Sequence, residues 1–134
     1  MDGAALPKGG YNPIQLIYQH PEKAMDPRWK VKDSLREAWD VPDELLRAIG
    51  AEPDWLTRWP NELSGGQLQR LSILRALSPK TRVLIADEIT ASLDPITQAQ
   101  IWSVILREIE KNRTMLIAIT HNEALAQRIC TRMV

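Results

Sequence analysis

Val83-Leu84-Ile85-Ala86-Asp87-Glu88 is a run of four apolar residues delivering two adjacent carboxylates. An apolar run of that length with no polar alternation predicts a strand over 82–86, buried on both faces as in parallel sheets. The two acids then fall at the strand's C-terminal end, where open α/β sheets place their chemistry. Neighbouring side chains on a strand face opposite sides, so the acids need not share a task. One can hold Mg²⁺ through water while the other polarises an attacking water. The plain alternative is that they solvate a strand end and cap the next turn.

Upstream, Leu63-Ser64-Gly65-Gly66-Gln67-Leu68-Gln69-Arg70 opens a helix predicted to run through Ser78. A hydroxyl, two residues without side chains and an amide stand at its start. Free backbone N–H groups and the helix dipole favour an anion there, and the glycines let a phosphate come close. The same residues also make an ordinary helix cap. Downstream, Asp94-Pro95 is a helix start with Asp94 as N-cap and Pro95 at the first position. Ala99, Trp102, Ile105, Leu106 and Ile109 line one face of that helix, which frays at Lys111-Asn112. A second buried-type strand over 114–119 ends in Thr120-His121, and Asn122 caps a last helix through Arg128. His121 should therefore emerge at the same sheet edge as Asp87 and Glu88. A histidine there can donate to a phosphate or align a water, or can be an ordinary surface residue.

The first half is different in character. A Gly- and Pro-rich loop leads to a strand over 14–18 that stops at Gln19-His20-Pro21. Gln19 is a neutral amide able to bond both a water and a metal-bound oxygen, and His20 reads as structural. Residues 31–39 and 43–49 have helical spacing, punctuated by Pro27, Pro42, Gly50, Pro53 and Pro60. They form a small helical insert holding the tryptophans at 29, 39, 55 and 59. The order strand, helix, strand, helix indicates an α/β fold, a mostly parallel sheet with helices packed on it.

Composition bounds the rest. With 134 residues, 44% of them hydrophobic and 25% charged, the chain holds one modest core. Seventeen basic residues balance seventeen acidic ones, so no global field draws it to nucleic acid, and no nucleic-acid partner is expected. The single Cys130 excludes an internal disulfide, fits a reduced cytosolic compartment, and reads as a small apolar filler near a helix end. Residues 1–10 carry Asp2 and no apolar core, unlike a signal peptide. The longest apolar runs, 83–86 and 115–119, fall far short of the ~20 residues that span a bilayer. Membrane association is therefore expected only through a partner.

These residues resemble a known family. Leu63 to Arg70 is similar to the signature of ABC ATPases, and Val83 to Glu88 followed by Ser92-Leu93-Asp94 is similar to their Walker B motif and D-loop. Gln19 falls at the Q-loop glutamine, the insert at the helical subdomain, and His121 at the switch histidine. The resemblance implies a partial P-loop NTPase fold: a core fragment over 1–18, a helical subdomain over 19–62 and a catalytic half over 63–134. It implies ATP and Mg²⁺ as cofactors, with Asp87 ordering Mg²⁺ through water and Gln19 assisting. Glu88 is then the general base or water positioner, His121 contacts the γ-phosphate and Gln19 senses it. Leu63, Ser64, Gly65, Gly66 and Gln67 bind the nucleotide of a second ATPase subunit, a copy or a paralogue, and Asp94 communicates across that dimer. Transmembrane permease subunits dock near 29–39, holding the protein peripherally on the inner face of the cell membrane.

Gln-His-Pro at 19–21, Asp-Pro-Arg-Trp at 26–29 and Gln98-Ala99-Gln100-Ile101 resemble the peptide and nickel importers. Ile89 departs from the family, which usually has Pro after the catalytic Glu. The larger departure is that Gly-x-x-x-x-Gly-Lys-Ser/Thr occurs nowhere in residues 1–134. That loop supplies the phosphate cradle, its lysine and a Mg²⁺ ligand. The expectation is an N-terminally truncated cassette, inactive alone, with apolar sheet faces exposed. A soluble ABC ATPase acting on nucleic acid and a nonenzymatic remnant are the alternatives.

Overall fold

The computed structural model describes residues 11–129. The expectations for residues 1–10 and for Cys130 lie outside them. Three strands, β1 (Ile14–Ile17), β2 (Val83–Asp87) and β3 (Met115–Ile119), form one parallel sheet in the order β1-β2-β3. Ile17 pairs with Ala86, and Asp87 with Ile119. All three C-terminal ends therefore reach one edge.

Between β1 and β2 come a 3₁₀ turn, Pro21–Lys23, then α1 (Val31–Ala38), α2 (Asp43–Ala48), two more 3₁₀ turns, Pro53–Thr57 and Pro60–Glu62, and then α3 (Gly65–Ala76). Gly50 ends α2 with φ +82°, the left-handed turn that glycine adopts without strain. Helix α3 stops two residues short of the expected Ser78. Leu77 is its C-cap, and the Ser78 hydroxyl instead accepts the Lys80 N–H at 3.1 Å. Between β2 and β3 lies α4 (Pro95–Asn112), capped by Asp94 as expected and closed by Arg113 in the left-handed conformation at φ 55°. Asn122 Oδ1 accepts the Leu125 N–H at 3.1 Å at the start of α5 (Glu123–Ile129).

The buried stripe of α4 is Ile101, Trp102, Val104 and Ile105, and Ala99 is exposed. Of the expected stripe, Trp102 and Ile105 are buried and Ile109 packs on the core, while Ala99 falls outside it and Ile101 and Val104 join it. One apolar cluster runs from Val31 and Leu35 of α1 through α3 into β2 and α4. Three bonds sew α1 to α3: Trp39 Nε1 donates to the Leu74 carbonyl at 2.8 Å, Arg75 Nε to the Ser34 carbonyl at 3.1 Å and Arg75 Nη2 to the Glu37 carboxylate at 3.4 Å.

Among the described residues, the strands are covered on one face only. Ile17, Leu84 and Ala86 are buried in the cluster, whereas Leu16, Tyr18, Met115, Ile117 and Ile119 are exposed on the other face. The buried-type reading of β3 therefore needs correction: its burial alternates along the strand. Among the described residues, helices cover one side of the sheet, and the apolar run that predicts two covered faces finds only one.

Candidate functional site

Glu88, directly after β2, has φ 53°. A left-handed non-glycine residue is uncommon and, outside helix caps, is held in place by its surroundings. Here the Glu88 N–H donates to the Ile119 carbonyl at 2.9 Å, extending the β2–β3 pairing by one residue. The turn carries the Glu88 carboxylate toward the end of β3. There Oε1 accepts the His121 N–H at 3.1 Å and lies 3.3 Å from His121 Nε2. The carboxylate is 16% exposed and the imidazole 96% exposed, so the acid is fixed and the base reaches outward. Asp87, in register with Ile119, takes the strand position of the uncovered face and is half-buried. The two acids thus have different surroundings, as strand alternation requires.

The loop after Glu88 is anchored from below. Ile89 is 4% exposed, so packing steadies the position where the family usually has proline. Thr90 is buried, and its hydroxyl accepts Gln98 Nε2 at 2.8 Å and Trp102 Nε1 at 3.0 Å, both from α4. Gln98 and Trp102 sit one helical turn apart, so both reach the same loop. A cleft of about 450 Å³ runs along this loop, with Glu88, Leu93, His121 and Leu125 among its lining.

The start of α3 meets the same loop. Ser64 Oγ accepts the Gln67 N–H at 3.2 Å and Gln67 Oε1 accepts the Ser64 N–H at 3.0 Å, a reciprocal capping box. A Cβ on Gly66 would lie 3.5 Å from Leu93 Cδ2, while one on Gly65 would meet nothing within 4 Å. Leu63 is half-buried and Ser92 exposed. Asp94 is occupied as the cap of α4, accepting the Thr97 N–H at 2.9 Å and the Thr97 hydroxyl at 2.7 Å. The Thr97 N–H and then its hydroxyl hold the Asp94 carboxyl below the usual aspartate value.

Glu88 and His121 are thus in contact, and Gly66 is brought against Leu93. Gln19 lies at the same edge by the β1–β2 register, exposed beyond β1 and outside these contacts. His20 is exposed, 3.8 Å from Glu22. Among the described residues no group of three or more His, Cys, Asp or Glu forms a metal cage. A Mg²⁺ site at Asp87 fits only as a single carboxylate completed by water and phosphate oxygens, which is how Mg²⁺ is usually held beside nucleotides. The residues that sequence reasoning missed are Gln69 and Thr90, buried polar groups whose partners are fixed by tertiary structure.

A family model described as "ABC transporter" matches residues 11–91, more than half of the chain. The chain belongs to the ABC transporter family. Its parallel sheet and helices are those of an ABC ATPase cassette, a P-loop NTPase fold. The nickel import system ATP-binding protein NikE of Staphylococcus aureus (strain N315) is 33% identical over 136 residues, 92% of this chain and 58% of the relative. The chain therefore spans less than two thirds of that ABC relative. The post-hydrolysis dimer of the ATP-binding cassette MJ0796 bound to ADP and Pi superimposes with TM-score 0.70 at 23% identity, over 85% of this chain and 54% of that one. For cbiO1 of Clostridium perfringens, part of the ABC transporter complex cbiONQ, the TM-score is 0.69 at 24% identity, over 88% and 51%. No helix among the described residues is long and apolar enough to cross a membrane.

Proposed function

We propose that this chain is the catalytic half of the ATP-binding subunit of an ABC importer, hydrolysing Mg-ATP to ADP and phosphate to drive uptake of nickel or peptides. The observation that carries this reading is Glu88, turned by its left-handed backbone so that its carboxylate is pinned by the His121 N–H at 3.1 Å. A carboxylate fixed at a strand end orients a water for in-line attack without a covalent intermediate, which is the positioning and charge stabilisation that phosphoryl transfer needs. Glu88 acts as base or water positioner, the exposed His121 imidazole contacts the γ-phosphate, and Gln19 senses it from the exit of β1. Asp87 would hold Mg²⁺ through water, and the ion would supply positive charge near the phosphate oxygens.

The helix start at Ser64, Gly65, Gly66 and Gln67 caps the γ-phosphate of ATP held by a second ATPase subunit, identical or paralogous, and Ser92, Leu93 and Asp94 communicate between the two. Gly65 supports this: among the described residues nothing lies within 4 Å of where its Cβ would stand, which leaves the helix start open to a close phosphate. The segments 1–18, 19–62 and 63–134 then serve as core fragment, helical subdomain and catalytic half. The 29–39 region, where Trp29 is exposed, docks on transmembrane permease subunits and keeps the protein peripheral on the cytoplasmic side. A segment bearing Gly-x-x-x-x-Gly-Lys-Ser/Thr covers the bare sheet face, and residues 1–134 alone are inactive.

Calorimetric titration tests the reading. The 134-residue chain is expected not to bind Mg-ATP at micromolar affinity, and ATPase activity is expected once the N-terminal part of a NikE-type relative is supplied as a separate segment. Micromolar binding by the chain alone would refute the division of labour. Absence of hydrolysis in the complemented sample would leave a nonenzymatic remnant.

A further inference from the structure

Gln69 lies on α3 beyond the Ser64 capping box and is 4% exposed. A buried carboxamide is costly unless its donors and acceptor are paired. Nε2 donates to the Ile89 carbonyl at 2.8 Å and to the Tyr18 carbonyl at 3.3 Å. Ser72 Oγ lies 3.3 Å from Oε1 and donates to the Gln69 carbonyl at 2.9 Å. Both partners of Nε2 are carbonyls, so the amide has one workable orientation: reversed, it would set oxygen against oxygen. Those carbonyls flank the chemistry. Tyr18 directly precedes Gln19, and Ile89 directly follows Glu88. Each lies just past the end of its strand, beyond the sheet ladder.

We propose that Gln69 is a positioning residue whose carboxamide ties α3 to the exits of β1 and β2, setting Gln19 and Glu88 relative to the helix start at 64–67 through one side chain. Its functional meaning rests on the ATPase reading of those three sites; its physical content does not. A shift of α3 is passed to both strand exits together. The two exits also cannot separate without breaking one of the two bonds.

Gln69→Met keeps the length of the side chain and removes the donor. Hydrogen exchange on the full 134-residue chain should show the amides of 18–20 and 89–91 accelerating together, by roughly tenfold, as for a lost hydrogen bond, with α1 and α2 unchanged. Acceleration in only one of the two segments, in neither, or spread evenly through α1 and α2 would overturn the proposal. Should Gln69→Met fail to fold, Ser72→Ala removes the hydroxyl that donates to the Gln69 carbonyl and lies beside Oε1, loosening the Gln69 side chain from behind. It should produce a smaller shift in the same two segments, and no shift there would overturn the proposal too. In the complemented ATPase, Gln69→Met should lower kcat while leaving KM for ATP nearly unchanged. A raised KM with unchanged kcat would count against positioning. Exchange is read without nucleotide, so failure of the ATPase reading and failure of this coupling give different results.

Discussion

The two faces of the sheet use the same strands and the same residue types but differ in everything else. On one face Leu84 is wholly buried, beneath the cluster that contains α3 and α4; on the other Ile117 is 46% exposed. The covered face also supplies the supports of the site: Gln69 from α3 holds the strand exits, and Gln98 and Trp102 from α4 hold Thr90. The bare face offers only Asp87 at its end. Among the described residues, the side chains that hold the loop after Glu88 all come from the covered face, and no helix lies over the face that carries Asp87.

Truncation should separate the faces most strongly. Leu84→Ala removes buried volume and is expected to cost about 2–5 kcal/mol. Ile117→Ala, on the bare face, should cost about 1 kcal/mol or less. Urea midpoints of the two variants measure this, and equal losses would mean that something covers both faces. A supplied phosphate-loop segment that binds the bare face should raise the Ile117→Ala cost toward that of Leu84→Ala.

A middle-sized effect is expected at Thr90. Thr90→Val keeps the shape, leaves Trp102 Nε1 without its acceptor and leaves Gln98 Nε2 only the Thr90 carbonyl at 3.3 Å, at a cost of roughly 1–3 kcal/mol. Thermal melts monitored at Trp102 would report it. A neutral outcome would show that the loop is held by Ile89 packing alone.

The smallest effect concerns the cap of α4. The Asp94 carboxyl sits below its ordinary value of 3.8 because Thr97 donates to its ionised form. The folded-state pKa is depressed, so the cap stabilises fully above 3.8 and is lost as pH falls through the lower folded value. Asp94→Asn caps without titrating and should flatten this part of the melting-temperature profile. Identical acid profiles for the two proteins would remove the cap from the account.

Much of this was legible in the sequence because it was local. Asp94-Pro95 announces a helix start whatever surrounds it, and the apolar runs at 83–86 and 115–119 announce strands. The shared edge of Glu88 and His121 follows from parallel order. Their contact does not, because it depends on φ 53° at Glu88, held by the Glu88 N–H on the Ile119 carbonyl and by the His121 N–H on the Glu88 carboxylate. Gln69 was equally hidden: within Gln67-Leu68-Gln69-Arg70, no local signal marks which glutamine faces inward. The bare face is expected from the missing Gly-x-x-x-x-Gly-Lys-Ser/Thr loop, whereas periodicity alone reads β2 and β3 as buried. Periodicity reports what a strand is built to bury, and β3 is built to bury more than the described residues cover.

On the proposed reading, Glu88 is the group that readies water at this site. In the complemented Mg-ATPase, Glu88→Gln keeps the size and the acceptor for the His121 N–H while removing the charge. The expected result is ATP binding as in the parent with hydrolysis slowed about a hundredfold or more. Near-parental turnover in Glu88→Gln would contradict it.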